Sequence, residues 1–136
     1  MQPKLIAPSV EHKPFIYNSM LKSLRNHPPY TWMANDTYFP FMSNMIDMLL
    51  ASSNALLAVD PLDESSMFGY ILYSNPQRVH FVYTKYPFRK LGIASLLLKE
   101  INNSRGEPTY CSFFTHQVSK ASVKYNLTYQ PIKDIT

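Results

Sequence analysis

Apolar positions along this chain recur with two different periods. In the first third, Phe15, Ile16, Met20, Leu21 and Leu24 recur at helical spacing, which predicts a helix over 11–26. Residues 4–9 ahead of it form a short strand that Pro8 ends, and Ser9 is placed to cap the helix. His27-Pro28-Pro29 stops that helix, because proline brings no N–H and pushes its predecessor out of helical geometry. Residues 28–41 then make a loop rich in aromatics: Tyr30, Trp32, Tyr38, Phe39 and Phe41. Phe41, Met45, Met48 and Leu49 restore helical spacing, giving a second helix at about 41–52.

Beyond Ser53 the period shortens to that of strands. Ala55–Val59 is an apolar strand closed by the turn Asp60-Pro61-Leu62-Asp63. Met67–Tyr73 is the next strand and carries Gly69; Asn75-Pro76 turns the chain into a third, Val79–Tyr83. Two tight turns between three adjacent strands predict an antiparallel meander. Ile93, Leu96, Leu97 and Ile101 mark a helix that ends at Arg105-Gly106-Glu107-Pro108. Tyr110–Thr115 is a strand, Ser119–Tyr125 a short helix, and Leu127–Ile132 a last strand. The predicted order is β-α-α-β-β-β-α-β-α-β, in one domain over residues 1–136 with no internal repeat.

Composition narrows the picture only a little. Apolar residues make up 46% and charged residues 16% of the 136, so the chain is globular rather than disordered. The net charge of +4 and a pI near 9.2 suit an anionic ligand, but fall short of the dense basic patch that nucleic-acid binding asks for. The single cysteine, Cys111, excludes an internal disulfide and fits a reducing compartment. No run reaches the roughly 20 apolar residues of a membrane span, and the N-terminus has no signal-peptide core. The expectation is a soluble cytoplasmic protein.

Charge is more informative in its placement. No acidic residue lies between Glu64 and Glu100, while Arg78, Lys85, Arg89, Lys90 and Lys99 do. Within that interval, Arg89-Lys90-Leu91-Gly92-Ile93-Ala94 joins a strand to a helix through a basic turn. Backbone N–H groups at a helix start favour an anion, commonly a phosphate. The plain alternative is an ordinary glycine turn with solvated basic residues.

That turn, with the element order around it, resembles the GCN5-related N-acetyltransferase (GNAT) superfamily. Its acetyl-CoA signature is Gln or Arg, two residues, Gly, one residue, then Gly or Ala, which Arg89 to Ala94 fit. Phe88 and Pro87 before it, Leu96-Leu97-Leu98 after it, and Ala121 and Tyr125 four apart on the later helix add to the match. The resemblance covers residues 66–130 with some specificity and 4–60 by element order. It implies an α+β, three-layer fold: a mixed, mostly antiparallel sheet of about six strands flanked by about four helices. It also implies an acyl-CoA-dependent N-acyltransferase, with acetyl-CoA or another acyl-CoA as donor and an unidentified amine as acceptor.

Under that resemblance, the pyrophosphate meets the amides of Leu91, Gly92, Ile93, Ala94 and Ser95. Gly92 lets the backbone approach, and Arg89 and Lys90 add charge. The pantetheine arm pairs with the strand edge near Phe81, Val82 and Tyr83, by main-chain bonds that are indifferent to side chains. Tyr125 is the candidate acid for the leaving thiolate. Such an enzyme also needs the amine deprotonated and the oxyanion stabilised. The glutamate that many relatives carry on the fourth strand is missing, as is the Gly-Phe pair that often opens their last strand: this chain has Asn126-Leu127. His80 on the fourth strand is the first candidate base and His116 another, with a water-relayed base, or none, as an equal alternative. His12 and His27 fall on a helix surface and a loop. The aromatic loop 28–41 is either an acceptor pocket or a cap on the core, with Tyr30 and Trp32 as acceptor contacts if they are exposed. No metal site is expected, because no histidine pair has ligand spacing and Cys111 has no partner cysteine. A homodimer is implied by resemblance only. The alternative is a GNAT-like domain without catalysis, a binding or structural module such as a phage assembly component.

Overall fold

The switch of period at Ser53 is where the chain leaves helix for sheet. The computed structural model describes residues 2–74, 78–105, 110–111 and 128–129. Strand β1 (Lys4–Ile6) is followed by helices α1 (Lys13–Leu24) and α2 (Asn35–Ser52). Strands β2 (Asn54–Asp60), β3 (Asp63–Ser74) and β4 (Arg78–Thr84) come next, then helix α3 (Ile93–Arg105) and the short strands β5 (Tyr110–Cys111) and β6 (Thr128–Tyr129). They form one six-stranded sheet in the order β1-β2-β3-β4-β5-β6. The first three pairings are antiparallel; β4–β5 and β5–β6 are parallel. The mixed, mostly antiparallel sheet is therefore the one the resemblance implies. Three of the four expected α-helices fall among the described residues; the fourth, at 119–125, lies outside them.

Alternation along the strands gives the sheet two apolar faces. Leu57, Val59, Tyr70, Leu72 and Phe81 face one way and pack with Ile16, Met20 and Leu24 of α1 and with Tyr38, Met42, Met45, Ile46 and Leu49 of α2. Ala58, Phe68, Ile71, Val79 and Val82 face the other way, against Ile93, Leu97, Leu98 and Ile101 of α3. Between the first two helices and the sheet, Tyr70 is fully buried. Its hydroxyl donates to the Ile16 carbonyl at 3.1 Å and meets Ser19 Oγ at 2.7 Å, so no polar group is stranded there.

Helix α2 begins at Asn35 rather than at 41, and the expected aromatic loop shrinks accordingly. The residue that decides this is Tyr38. It is fully buried, donates to the Leu21 carbonyl, and has the Arg25 guanidinium 4.7 Å from its ring. Extending the helix past Pro40 removes one backbone bond, at a cost of up to about 3 kcal/mol. Burying an aromatic ring contributes about as much, and the hydrogen bond and the cation–π contact add roughly 1 kcal/mol each. Pro40 itself sits on the solvent side. Arg25 also donates to the carbonyls of Tyr30 and Met33 and to Asn35 Oδ1, which fixes the shortened loop.

His12 is a second departure. It is buried rather than on a helix surface, in a 3-10 turn (Val10–His12) that leads into α1. Its Nδ1 accepts the Ser9 N–H at 2.9 Å and its Nε2 meets the Glu64 carbonyl at 3.0 Å. Both ring nitrogens are thus satisfied, which makes burial of the imidazole affordable.

Candidate functional site

Strand β4 is irregular at its middle. Leu72 pairs with Phe81, but the next β3 residue, Tyr73, pairs with Val79, so His80 is an extra residue on β4. An insertion of this kind bends the strand and interrupts the ladder locally. The described pairing of β4 with β5 covers Arg78 and Val79. Among the described residues, no strand pairs with the second edge of β4 from His80 to Thr84.

The strand's far end leads straight into the basic turn. A 3-10 turn (Tyr86–Phe88) follows Lys85, whose N–H bonds the Phe68 carbonyl at 2.8 Å. Phe88 packs on Phe68 with ring centroids 4.3 Å apart, so the turn is anchored in the core beneath α3. Arg89, Lys90, Leu91 and Gly92 are then all exposed. Lys90 and Gly92 take left-handed backbone, with φ of 68° and 81°. The first intrahelical bond of α3 runs from Leu96 N–H to the Gly92 carbonyl at 2.9 Å. The amides of Gly92 to Ala94 precede it at the helix start, where the dipole favours negative charge. Among the described residues, a Cβ built on Gly92 would meet nothing within 4 Å, so there is open space beside this backbone. This arrangement is chemically suited to a phosphate.

No family model matches the chain, and no curated protein does. Solved structures do. One described as histone acetyltransferase HPA2 and related acetyltransferase, from Corynebacterium glutamicum, superposes with a TM-score of 0.68 at 16% identity, over 98% of this chain and 91% of its own. The apo form of YjaB from Escherichia coli gives 0.64 at 15% identity, over 93% and 80%. An acetyltransferase of the GNAT family from Staphylococcus aureus gives 0.58 at 16% identity, over 91% and 81%. The fold is that of the GNAT superfamily. At these identities the likeness concerns architecture, and the chemistry must be judged on this chain's own residues.

Within this fold the residues predicted from sequence fall at different places. Arg89, Lys90, Leu91, Gly92, Ile93, Ala94 and Ser95 come together at the start of α3, although Ile93 is a core residue that contributes only its backbone. Phe81 and Val82 are buried on opposite faces of the sheet and Tyr83 is half-buried, so any ligand along β4 would meet main chain there. Tyr125, Ala121 and His116 lie outside the described residues. Of the loop aromatics, Tyr38 belongs to the core, while Trp32, in a 3-10 turn ahead of α2, is 77% exposed and Tyr30 is half-buried against Tyr38. Among the described residues no group of three His, Cys, Asp or Glu is placed to hold a metal ion, and no helix is long and apolar enough to cross a membrane.

His80 keeps its place on β4 but loses its ordinary titration. It is 5% exposed, with Nε2 3.1 Å from Ser74 Oγ. Burial, helped by the nearby Arg78 charge, lowers its pKa from 6.5 to about 4. At neutral pH the ring is uncharged and a weak acceptor, since a general base works best with a pKa near the working pH. A stability effect follows. Between about pH 6.5 and 4 the unfolded chain binds a proton at His80 that the folded chain refuses. Stability at this residue is therefore full above pH 6.5 and falls as the pH drops, by at most about 3 kcal/mol. Thermal melts of wild type and His80→Gln at pH 7 and pH 4.5 are expected to show a smaller acid loss in the variant. Equal losses would contradict it.

Two positions that shape the site carried little signal in the sequence. Gly69, opposite Thr84 in the β3–β4 ladder, has the Tyr83 carbonyl where a side chain would begin. Its one cue was a glycine interrupting an apolar strand. The left-handed backbone of Lys90 had no cue, because such a conformation in a lysine is dictated by its neighbours rather than by its own preference.

Proposed function

We infer that this protein is an acyl-CoA-dependent N-acyltransferase, with acetyl-CoA as donor and an amine as acceptor. The observation that carries this reading is the open turn at Lys90 and Gly92, which presents the first amides of α3 beside exposed basic residues at the end of β4. Those amides hold the pyrophosphate, by hydrogen bonds to a charged group worth roughly 1.5–3 kcal/mol each. The pantetheine arm lies along the β4 edge beyond the bulge and bonds to main chain. That course brings the thioester toward His80, where the bulge takes backbone out of the ladder.

Transfer then requires the acceptor nitrogen to attack the acyl carbon, the carbon–sulfur bond to break, and the thiolate to gain a proton. Tyr125 supplies that proton in this reading. The amine's own proton leaves to water or is lost before binding, because β4 from Arg78 to Thr84 carries no carboxylate and His80 is a poor base. The exposed Trp32 supports an acceptor site at the start of α2.

The same lack of a base on β4 favours a second reading, a GNAT-fold module that binds acyl-CoA or a partner without catalysis. Calorimetry with acetyl-CoA, paired with a thiol-release assay over a panel of amines, separates the two. Binding with thiol release is the expected result. Binding without release for any amine supports the module, and no heat at millimolar acetyl-CoA overturns the cofactor reading itself.

A further inference from the structure

The basic turn raises a question about its first residue. An arginine beside an anion site is readily taken for a phosphate ligand, yet Arg89 is turned the other way. Its Nε donates to the carbonyl of Thr84, the last residue of β4, at 3.0 Å. Its guanidinium carbon lies 5.5 Å from the centroid of the Tyr86 ring. The side chain therefore reaches back across the 3-10 turn and ties its far side to the strand end. On the near side, the Arg89 N–H bonds the Tyr86 carbonyl at 3.2 Å and the Phe88 N–H bonds the Lys85 carbonyl at 2.9 Å.

We propose that Arg89 is a positioning residue: its side chain latches the turn to the end of β4 and so sets the amides of the α3 start for the cofactor, rather than contacting the phosphates itself. The need for a latch lies in the next residue. Lys90 has φ of 68°, a left-handed backbone that a lysine adopts only where its surroundings impose it. Residues 86–88 are fixed from below by Phe88 on Phe68, and Lys85 is held by the Phe68 carbonyl. With Arg89 pinned to Thr84 as well, the chain enters Lys90 from a fixed direction, and the turn to Gly92 has one course to the helix. The proposal rests on the cofactor reading for its consequence in binding, but the latch itself is a property of the free protein.

The two roles make opposite demands on a replacement. In glutamine, Nε2 stands the same number of bonds from Cα as arginine Nε, so Arg89→Gln keeps the donor to Thr84 and loses the charge. In Arg89→Lys a methylene occupies that place, so the charge is kept and the donor is misplaced. Affinity for acetyl-CoA is to be measured by calorimetry for wild type, Arg89→Gln, Arg89→Lys and Arg89→Ala. Amide hydrogen exchange over residues 88–92 is to be followed in the same proteins without ligand. Arg89 is exposed, so thermal melts are expected to find all three variants folded. A latch predicts that Arg89→Gln binds within about threefold of wild type with unchanged exchange. It predicts that Arg89→Lys and Arg89→Ala bind about tenfold or more weakly and exchange faster. Lysine near wild type with glutamine as weak as alanine would establish a direct phosphate contact and overturn the latch. So would exchange in Arg89→Ala equal to wild type, or affinity unchanged in every variant. Should wild type bind no acetyl-CoA, the cofactor reading falls, and the exchange pattern alone decides whether Arg89 sets the turn.

Discussion

Gly69→Ala is expected to lower stability by about 3 kcal/mol or more, a larger effect than one methyl group normally has in a folded core. A Cβ at this position would lie 2.4 Å from the Tyr83 carbonyl oxygen, 3.2 Å from Thr84 Cα and 3.2 Å from Ile93 Cγ2. The first two obstacles are backbone of the neighbouring strand. They cannot rotate away as a side chain would, so β3 and β4 must separate or the ladder must shift. For a domain of this size such a loss corresponds to a fall in Tm of about 10 °C. Urea unfolding followed by circular dichroism measures it, and a loss under 1 kcal/mol would mean that the strands are not held this close. The effect reaches the site as well. Gly69 pairs with Thr84, whose carbonyl receives Arg89, and Ile93 opens α3. A strand displaced at Gly69 thus carries with it the end of β4, the latch and the helix start.

What the sequence disclosed, and what it hid, follows from which interactions are periodic. The two apolar periods located α1, the meander and α3, because burial of one face repeats at 3.6 or 2 residues. The start of α2 was hidden by Pro40 and by Phe41, which carries the helical spacing yet remains exposed at 37%. The buried stripe begins instead at Tyr38, and only its contacts with Leu21 on α1 and with Arg25 just after it make that visible. His12 was hidden for a similar reason: its partner Glu64 lies 52 residues away, and no local pattern announces such a bond. The bulge at His80 leaves the residue types of β4 unchanged and alters only their register. In the site, Gly92 and the acid-free interval pointed to the turn because anion binding at a helix start depends on backbone and net charge, both of which a sequence displays. The direction of the Arg89 side chain depends on the carbonyl of Thr84, which a sequence does not display.

Gly92→Glu is the counterpart of Gly69→Ala, since it should spare the fold and remove the ligand. Among the described residues nothing lies within 4 Å of the Cβ it would add, so no packing clash arises with them. The left-handed backbone, φ 81°, costs a non-glycine residue roughly 1–2 kcal/mol, which for this domain is a few degrees of Tm. Binding is affected much more. The new carboxylate stands at the mouth of the α3 start, where the amides and the helix dipole would otherwise receive the pyrophosphate, and it repels that group at close range while competing for its donors. Loss of acetyl-CoA affinity by about a hundredfold or more is expected, against less than about tenfold for Gly92→Ala, which bears the same backbone cost without the charge. The comparison isolates the anion site from the turn's conformation. Equal losses in the two variants would assign the effect to backbone strain, and an unchanged affinity in Gly92→Glu would place the phosphates elsewhere on the protein.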